Sequence, residues 1–153
     1  MLTIDPDSAC FGVDDGSKRG ALPIKLVVAA ALVDIDNRVL IAKRPNNKDM
    51  GGLWEFPGGK VKEGELPERA IIRELKEELN IDVTTSCLAP ISFASHSYND
   101  FHLLMPLFAC RQWKGTLHPM EKQELKWVRP MRLVEYTMPP ADFPLIAVIR
   151  DLL

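Results

Sequence analysis

The sequence contains few cysteines and histidines, the side chains on which most zinc sites depend. Its three cysteines, Cys10, Cys87 and Cys110, are odd in number, far apart and without CxxC spacing, which argues against a disulfide framework and against a zinc site. The three histidines also lack the spacing of metal ligands. We therefore expect reduced cysteines that serve packing, and we assign no chemistry to the histidines.

A strong net charge and a long hydrophobic run are also missing. The formal net charge of −2 offers no basic surface to a nucleic-acid polymer, whose binding depends on phosphate neutralisation. The longest apolar run, residues 26–33, is closer in length to a strand than to the ~18 residues of a membrane span. The N-terminal residues lack the basic and apolar regions of a secretory signal. We expect a soluble, cytoplasmic protein that binds neither membranes nor nucleic-acid polymers.

The length of 153 residues and the ordinary balance of 46% hydrophobic and 26% charged residues indicate a single globular domain. Residues 1–22 are rich in Asp, Ser and Gly and show no periodicity, so we predict a flexible N-terminal tail followed by a domain over residues 23–153. No feature of the composition indicates an obligate protein partner.

Hydrophobic periodicity predicts a fold with both strands and helices. The runs 25–34 and 39–44 are predicted to form a hairpin, and residues 57–59 a turn. Pro106 predicts an edge position or a bulge for the strand that contains it. Further extended segments are predicted at 51–56, 88–97, 101–113 and 124–128, and helices at 67–79 and 145–153.

The helix predicted at 67–79 carries an unusual group of acids. Glu74, Glu77 and Glu78 fall at positions i, i+3 and i+4, so their carboxylates share one edge of the helix, beside its apolar face. Arg73 can pair with Glu77, but one guanidinium does not neutralise three carboxylates. The acids either form a solvated face, as in most Glu-rich helices, or they hold a hard divalent cation.

The flanking residues favour the cation. The segment GKVKEGELPERAIIRELKEELNI, residues 59–81, resembles the Nudix box, Gly-x5-Glu-x7-Arg-Glu-U-x-Glu-Glu-x-Gly-U, in which U is a bulky apolar residue. It matches that pattern at every specified position except Asn80, which replaces a glycine. We expect a left-handed helix end there, a conformation that Asn tolerates. We also expect Leu66, placed before Pro67, to leave the start of the helix without a capping oxygen.

The resemblance extends to the MutT branch of that family, bacterial hydrolases that clear 8-oxo-dGTP from the nucleotide pool. It covers residues from about 25 to the C-terminus, in segments such as IAKRP, GGLWEFPGGKVKEGE, HSYNDFH and PPADFP. It implies an α+β fold, a Nudix-type α/β/α sandwich with a mixed β-sheet. It also implies Mg²⁺-dependent hydrolysis, with Mn²⁺ as a substitute, of a nucleoside triphosphate to the monophosphate and pyrophosphate.

Three functions stay open at this point. The first is removal of 8-oxo-dGTP, which protects DNA replication from mutation. The second is hydrolysis of another nucleotide, a pyrimidine triphosphate or a dinucleotide. The third is a non-catalytic nucleotide-binding module, against which the intact acids argue, because a binding module needs no group of repelling carboxylates.

The resemblance also implies roles for residues around the helix. Glu74, Glu77 and Glu78 match the metal-binding, catalytic carboxylates, and Arg73 matches the residue that orients them. The carbonyl of Gly58 is expected as a further metal ligand. Glu121 matches a carboxylate that reaches the metal site from outside the box, as metal ligand or general base. It could instead be a solvated loop acid, and Glu124 is an alternative for the same role.

Substrate contacts are implied at further positions. Arg44 matches a basic residue that contacts the substrate, although a charge at the end of a strand is often only exposed. Phe56, Tyr98 and Phe101 are candidate walls for a stacked base, although aromatic side chains at such positions more often belong to the core. Asp142 stands where the best-known MutT proteins have an Asn that reads the base; an ionised Asp can only accept hydrogen bonds. It could instead cap the C-terminal helix.

Overall fold

The computed structural model describes residues 22–153, so the N-terminal tail predicted over residues 1–22 lies almost entirely outside the described residues. The described chain contains seven strands and two α-helices, together with two short 3₁₀ helices at Thr85–Cys87 and Pro130–Glu135. The order is β1 Ile24–Leu32, β2 Val39–Lys43, β3 Trp54–Glu55, β4 Gly58–Lys60, α1 Pro67–Leu79, β5 Leu88–Ser97, β6 His102–Cys110, β7 Glu124–Val128 and α2 Leu145–Leu152. No helix within residues 22–153 is both long and apolar enough to traverse a lipid bilayer.

The strands form two sheets. One has four strands in the order β4-β1-β6-β5, in which β1 runs parallel to β6 and the other neighbours are antiparallel. The other has three antiparallel strands in the order β3-β2-β7. The mixed sheet of the predicted α+β fold is therefore confirmed, as are both helices and the strands at 88–97 and 124–128.

The hairpin predicted from β1 and β2 is wrong, although its turn exists. The Asp34 backbone N–H donates to the Arg38 carbonyl (3.0 Å), and Val33 and Val39 form a single bridge, after which the strands enter different sheets. The reason lies in β1, which is fully buried from Val28 onward and pairs along one edge with β4 and along the other with β6. One edge of β1 is occupied by β6 and the other by β4 at residues 27–29, so β2 joins the other sheet.

Two other local predictions also need correction. Pro106 lies in β6, an interior strand, where it pairs with Phe93 of β5. The ladder between β6 and β1 has no residue pair at Pro106, so the N–H that proline lacks is not needed there.

Gly58 and Gly59 form part of β4 rather than a turn. A Cβ at Gly58 would overlap the Val28 carbonyl oxygen, so only glycine lets the two strands approach this closely.

Two hydrophobic clusters lie on the two faces of β1. Its Val28, Ala30 and Leu32 pack in the cluster that contains the apolar face of α1, while Ala29 and Ala31 pack in the cluster that contains α2. Each buried Leu or Ile contributes roughly 1.5–3 kcal/mol. Helix α1 thus lies against the sheet by its apolar face, which leaves the acidic edge beside β4. As expected, Leu66 supplies no side-chain cap and Asn80 is left-handed, with φ 55°.

Candidate active site

Helix α1 directs two of its three acids into a cavity. Glu74 and Glu78 line a space of about 310 Å³ together with Gly58, Gly59 and Glu121. Glu77 does not line this cavity, and its side chain is 55% exposed. The structure therefore brings together Gly58, Glu74, Glu78 and Glu121 of the predicted metal-binding residues, whereas Glu77 is not among the residues that line the cavity. Glu124 lies in β7 opposite Lys43, outside the cavity.

Arg73 holds the acids on the helix side of the cavity. Its Nε and Nη2 donate to the two carboxylate oxygens of Glu65, each at 2.8 Å, in a bidentate pair. These bonds lower the pKa of Glu65 to about 2. Nη1 also donates to Glu74 at 2.9 Å and to Glu77 at 3.3 Å, and Nη2 donates to the Lys60 carbonyl at 3.0 Å. Arg73 thus contacts Glu65, Glu74 and Glu77, and its role in orienting the acids stays a prediction.

Glu78 has an unusual environment for a carboxylate. Burial, and then the negative charges of Glu74, Glu121 and Glu55, raise its pKa to about 9, and the Gly58 backbone N–H offsets only part of this. Because each of these causes disfavours a further negative charge, a cation at this point would relieve all of them.

The donor chemistry of this cavity suits a hard divalent ion, because carboxylate and backbone oxygens are the ligands that Mg²⁺ prefers. Among the residues that the structure describes, no three acidic, histidine or cysteine side chains yet surround one point closely enough to hold an ion. Glu74, bonded to Arg73, would have to share its carboxylate with the ion. The residues therefore fit Mg²⁺, because their oxygens are ligands that it prefers and because they line the same cavity.

A second cavity, of about 350 Å³, adjoins the first. It is lined by Tyr98, Phe101 and Asp142, and the two aromatic rings lie 5.0 Å apart between centroids. The side chain of Phe56, predicted as a wall, lies instead in the core with 4% exposure. Phe56 contributes its backbone N–H, which donates to Asp142 Oδ2 at 3.4 Å. This cavity offers an aromatic side and a polar end, as a nucleobase requires.

Asp142 does not cap helix α2, which begins three residues later without a side-chain cap. Its carboxyl group is buried, with 6% exposure of the residue. Burial and the nearby Glu55 raise the pKa of Asp142 to about 7, while the Phe56 N–H and Arg44 lower it. Near neutral pH this carboxyl is therefore divided between its protonated and ionised forms.

The two cavities share one wall, formed by Val27, Arg44, Glu55 and Lys60. Arg44 Nη1 donates to Glu55 Oε2 at 3.1 Å, while the buried Arg44 Nε finds no hydrogen-bond partner within residues 22–153. Burial raises the pKa of Glu55 against the opposing effect of Arg44. Arg44 thus lies at the junction of the cavities, within reach of a ligand that occupies both.

Sequence reasoning missed Glu55 and Gln123. The signal for Glu55 was an acid between Trp54 and Phe56 in a short extended segment, where a solvated charge would be out of place. Gln123 lines the first cavity beside Glu121 and is largely buried. The sequence around it, EKQEL, offers no local reason for burial.

Comparisons with known proteins agree with this architecture. A family model described as "NUDIX domain" matches residues 28–148. The chain is 39% identical over 127 residues to the CTP pyrophosphohydrolase of Escherichia coli K12, covering 82% of this chain and 91% of that protein. It is 31% identical over 129 residues to the 8-oxo-dGTP diphosphatase of the same organism, covering 84% and 98%.

A shorter match, 45% identical over 94 residues, is to the 8-oxo-dGTP diphosphatase of Proteus vulgaris and covers 61% of this chain and 82% of that protein. Among solved structures, the E. coli ORF135 protein has a TM-score of 0.75 at 33% identity, covering 88% of this chain and 94% of that one. A structure from a study of MutT of Aliivibrio salmonicida and Vibrio cholerae has a TM-score of 0.72 at 32% identity, covering 85% and 99%. The chain therefore belongs to the Nudix family, as a Nudix pyrophosphohydrolase.

Proposed function

We propose that the chain hydrolyses a nucleoside triphosphate to the monophosphate and pyrophosphate in the presence of Mg²⁺, and that 8-oxo-dGTP is its favoured substrate. The observation that carries the proposal is the adjacency of the two cavities. An acidic cavity that suits a cation and phosphates shares the wall Val27, Arg44, Glu55 and Lys60 with an aromatic cavity that ends in Asp142.

The acidic cavity supplies groups for the break of one phosphoanhydride bond by water. Arg44, Lys48 and Lys60 line it and can bind the phosphates. Bound Mg²⁺ would screen the phosphate charge and lower the pKa of the attacking water. Glu121, or Glu78 in its ionised form, would accept the proton of that water, since both face the same cavity.

The aromatic cavity supplies base recognition through Asp142. Its protonated carboxyl can donate to O6 of 8-oxoguanine and accept from N7–H, the same two bonds that an Asn amide would form. The pKa of about 7 makes this form available near neutral pH. The substitution of Asp for Asn is thereby compatible with the oxidised base.

Cytosine is a second candidate, favoured by the similarity to a protein named CTP pyrophosphohydrolase. The protonated carboxyl of Asp142 can donate to N3 of cytosine and accept from its N4 amino group. A CTP-type activity would use the same metal-binding residues and differ only in the base.

A nucleotide panel tests the proposal. Release of pyrophosphate from 8-oxo-dGTP, dGTP, CTP and dCTP is measured with Mg²⁺, with phosphate release as the control for cleavage at another bond. We expect the highest kcat/KM for 8-oxo-dGTP. A higher value for CTP or dCTP would establish the second candidate, and no turnover of any nucleotide would end both.

Replacement of Glu78 tests the site itself. Glu78→Gln should reduce turnover by roughly a hundredfold or more while the protein stays folded. Glu124 is an acid outside the cavity, so Glu124→Gln should retain full activity. Equal activity of the two variants would contradict the assignment of the acidic cavity.

A further inference from the structure

The loop that carries Glu121 is fastened to the C-terminal end of helix α1. The His118 N–H donates to the Leu79 carbonyl at 2.9 Å, and the Met120 N–H donates to the Glu78 carbonyl at 3.0 Å. The last carbonyls of a helix have no partner inside the helix, so they are available for such bonds. The loop is therefore built onto the same helix turn that carries the acid Glu78.

Gln123 adds a side-chain link between the same two segments. Its Nε2 donates to the Glu78 carbonyl at 3.1 Å, and its Oε1 accepts from the Glu121 N–H at 3.0 Å. The residue is only 9% exposed, and a buried amide is costly unless both of its ends are bonded. Gln123 thus uses its whole amide to join the main chain of Glu78 to that of Glu121.

The other contacts of Glu121 cannot fix its position. Its ion pair with Lys48 is 3.8 Å long, and both side chains are about half exposed, so the pair contributes little. The next residue, Lys122, is left-handed with φ 56°, a conformation that is unfavourable for a non-glycine residue and needs support from its neighbours. The Gln123 amide is the link that ties Glu121 itself to the helix.

We propose that Gln123 is a positioning residue, which holds Glu121 at its working distance from Glu78 in the acidic cavity. The inference rests on the proposed function, because it assumes that Glu121 takes part in cation binding or proton transfer. A displacement of about 1 Å at an active site can reduce turnover on the order of a hundredfold. We therefore expect loss of the Gln123 amide to reduce kcat at least tenfold, with a smaller change in KM.

A double-mutant cycle separates positioning from general support of the fold. Gln123→Met keeps the length of the side chain and removes both hydrogen bonds, and Glu121→Gln removes the charge that Gln123 is proposed to position. The cycle contains these two variants, their combination and the parent protein. Gln112→Ala, at an exposed glutamine outside both cavities, is the control.

Two quantities are measured on each variant. One is kcat with KM for the nucleotide that the panel identifies. The other is the affinity for Mn²⁺ alone, without nucleotide, from the electron paramagnetic resonance signal of the free ion. When Glu121 is present, we expect Gln123→Met to lower both kcat and the affinity for Mn²⁺. In the Glu121→Gln background, we expect Gln123→Met to have no further effect on either quantity.

The same loss in both backgrounds, or no loss in either, would overturn the inference. If Gln123→Met does not fold, Gln123→Asn, which keeps an amide on a shorter side chain, takes its place in the cycle under the same criteria. If the parent protein hydrolyses no nucleotide, the proposed function fails, while the Mn²⁺ cycle still decides whether Gln123 positions Glu121.

Discussion

Asp142 and Phe56 are joined by a hydrogen bond across 86 positions of the chain: the Phe56 backbone N–H donates to Asp142 Oδ2 at 3.4 Å. This bond connects the segment before α2 to the short extended segment between β3 and β4, beside the aromatic cavity. It favours the ionised form of Asp142, whereas burial and Glu55 favour the protonated form. The balance between them determines which edge of a base Asp142 can bind.

The preference for the oxidised base should depend on pH. Below the pKa of about 7, Asp142 is a donor and an acceptor and suits the O6 and N7–H edge; above it, Asp142 only accepts, and the N1–H and amino edge of unmodified guanine becomes favourable. We expect the ratio of kcat/KM for 8-oxo-dGTP over dGTP to fall as pH rises from 6 to 8. In Asp142→Asn, which always donates and accepts, the ratio should stay constant. A ratio that changes equally in both proteins would exclude Asp142 as the cause.

Glu55 should set the midpoint of that transition. Its negative charge raises the pKa of Asp142, so Glu55→Gln should lower that pKa and move the change in preference to lower pH. The amide can still accept from Arg44, which preserves their contact. The pH dependence of the kcat/KM ratio, or the carbon chemical shift of the Asp142 carboxyl, measures the midpoint. An unchanged or higher midpoint would contradict the assigned effect of Glu55.

Glu78 should destabilise the metal-free protein as pH rises. Its pKa is raised from the ordinary 4.5 to about 9, so the folded protein binds this proton more tightly than the unfolded chain does. Stability is lost between those two values as pH increases. Glu78→Gln should therefore increase the free energy of unfolding by more than ~1 kcal/mol at pH 8 and by much less at pH 5.

Urea denaturation at the two pH values, without divalent ions, measures this difference. Glu77→Gln is the matched control, because Glu77 lies on the same helix with an exposed side chain. It should change the free energy by less than ~1 kcal/mol at either pH. A destabilised Glu78→Gln at pH 8 would show that the carboxylate is favourably accommodated without a cation.

Substitution by alanine should affect stability at Gly58 and activity at Gly59. A Cβ at Gly59 would lie 2.5 Å from Glu74 Oε1, the oxygen that accepts from Arg73, so the Glu74 carboxylate must move away from that bond. A Cβ at Gly58 would instead overlap the backbone of β1, which cannot move so easily. We expect Gly59→Ala to fold and lose activity, and Gly58→Ala to lose ~1–3 kcal/mol or more of stability. Thermal unfolding and turnover of both variants test the contrast.

The parts of the fold that local signals specify could be predicted from the sequence. Helix α1 is one of them, because its periodic apolar face, Pro67 at its start and Asn80 at its end all lie within one segment. The separation of β1 from β2 could not be predicted, since it depends on the distant strand β6, in which His102 pairs with Ile24. A short turn between two apolar runs can join two paired strands of a hairpin, and it can equally join two strands that belong to different sheets.

The site also contains residues that local sequence signals predict and residues whose roles depend on distant segments. The acids of α1 and Arg73 follow from helical spacing, whereas the local signal for Glu55 says nothing of its partners, which are Arg44 and the nearby Asp142. Gln123 is bonded to the Glu78 carbonyl 45 positions away. A side chain whose partners are backbone atoms of a distant segment leaves no pattern in its own neighbourhood.

The wall shared by the two cavities has a consequence for inhibitor design. Both cavities are lined by the same four residues, Val27, Arg44, Glu55 and Lys60. A planar heterocycle in the aromatic cavity and a phosphonate in the acidic cavity would therefore be separated only by these side chains. Joining two such weak fragments by a short tether would turn the second association into an intramolecular event at roughly millimolar effective concentration. A compound of this kind would bind far more tightly than either fragment alone.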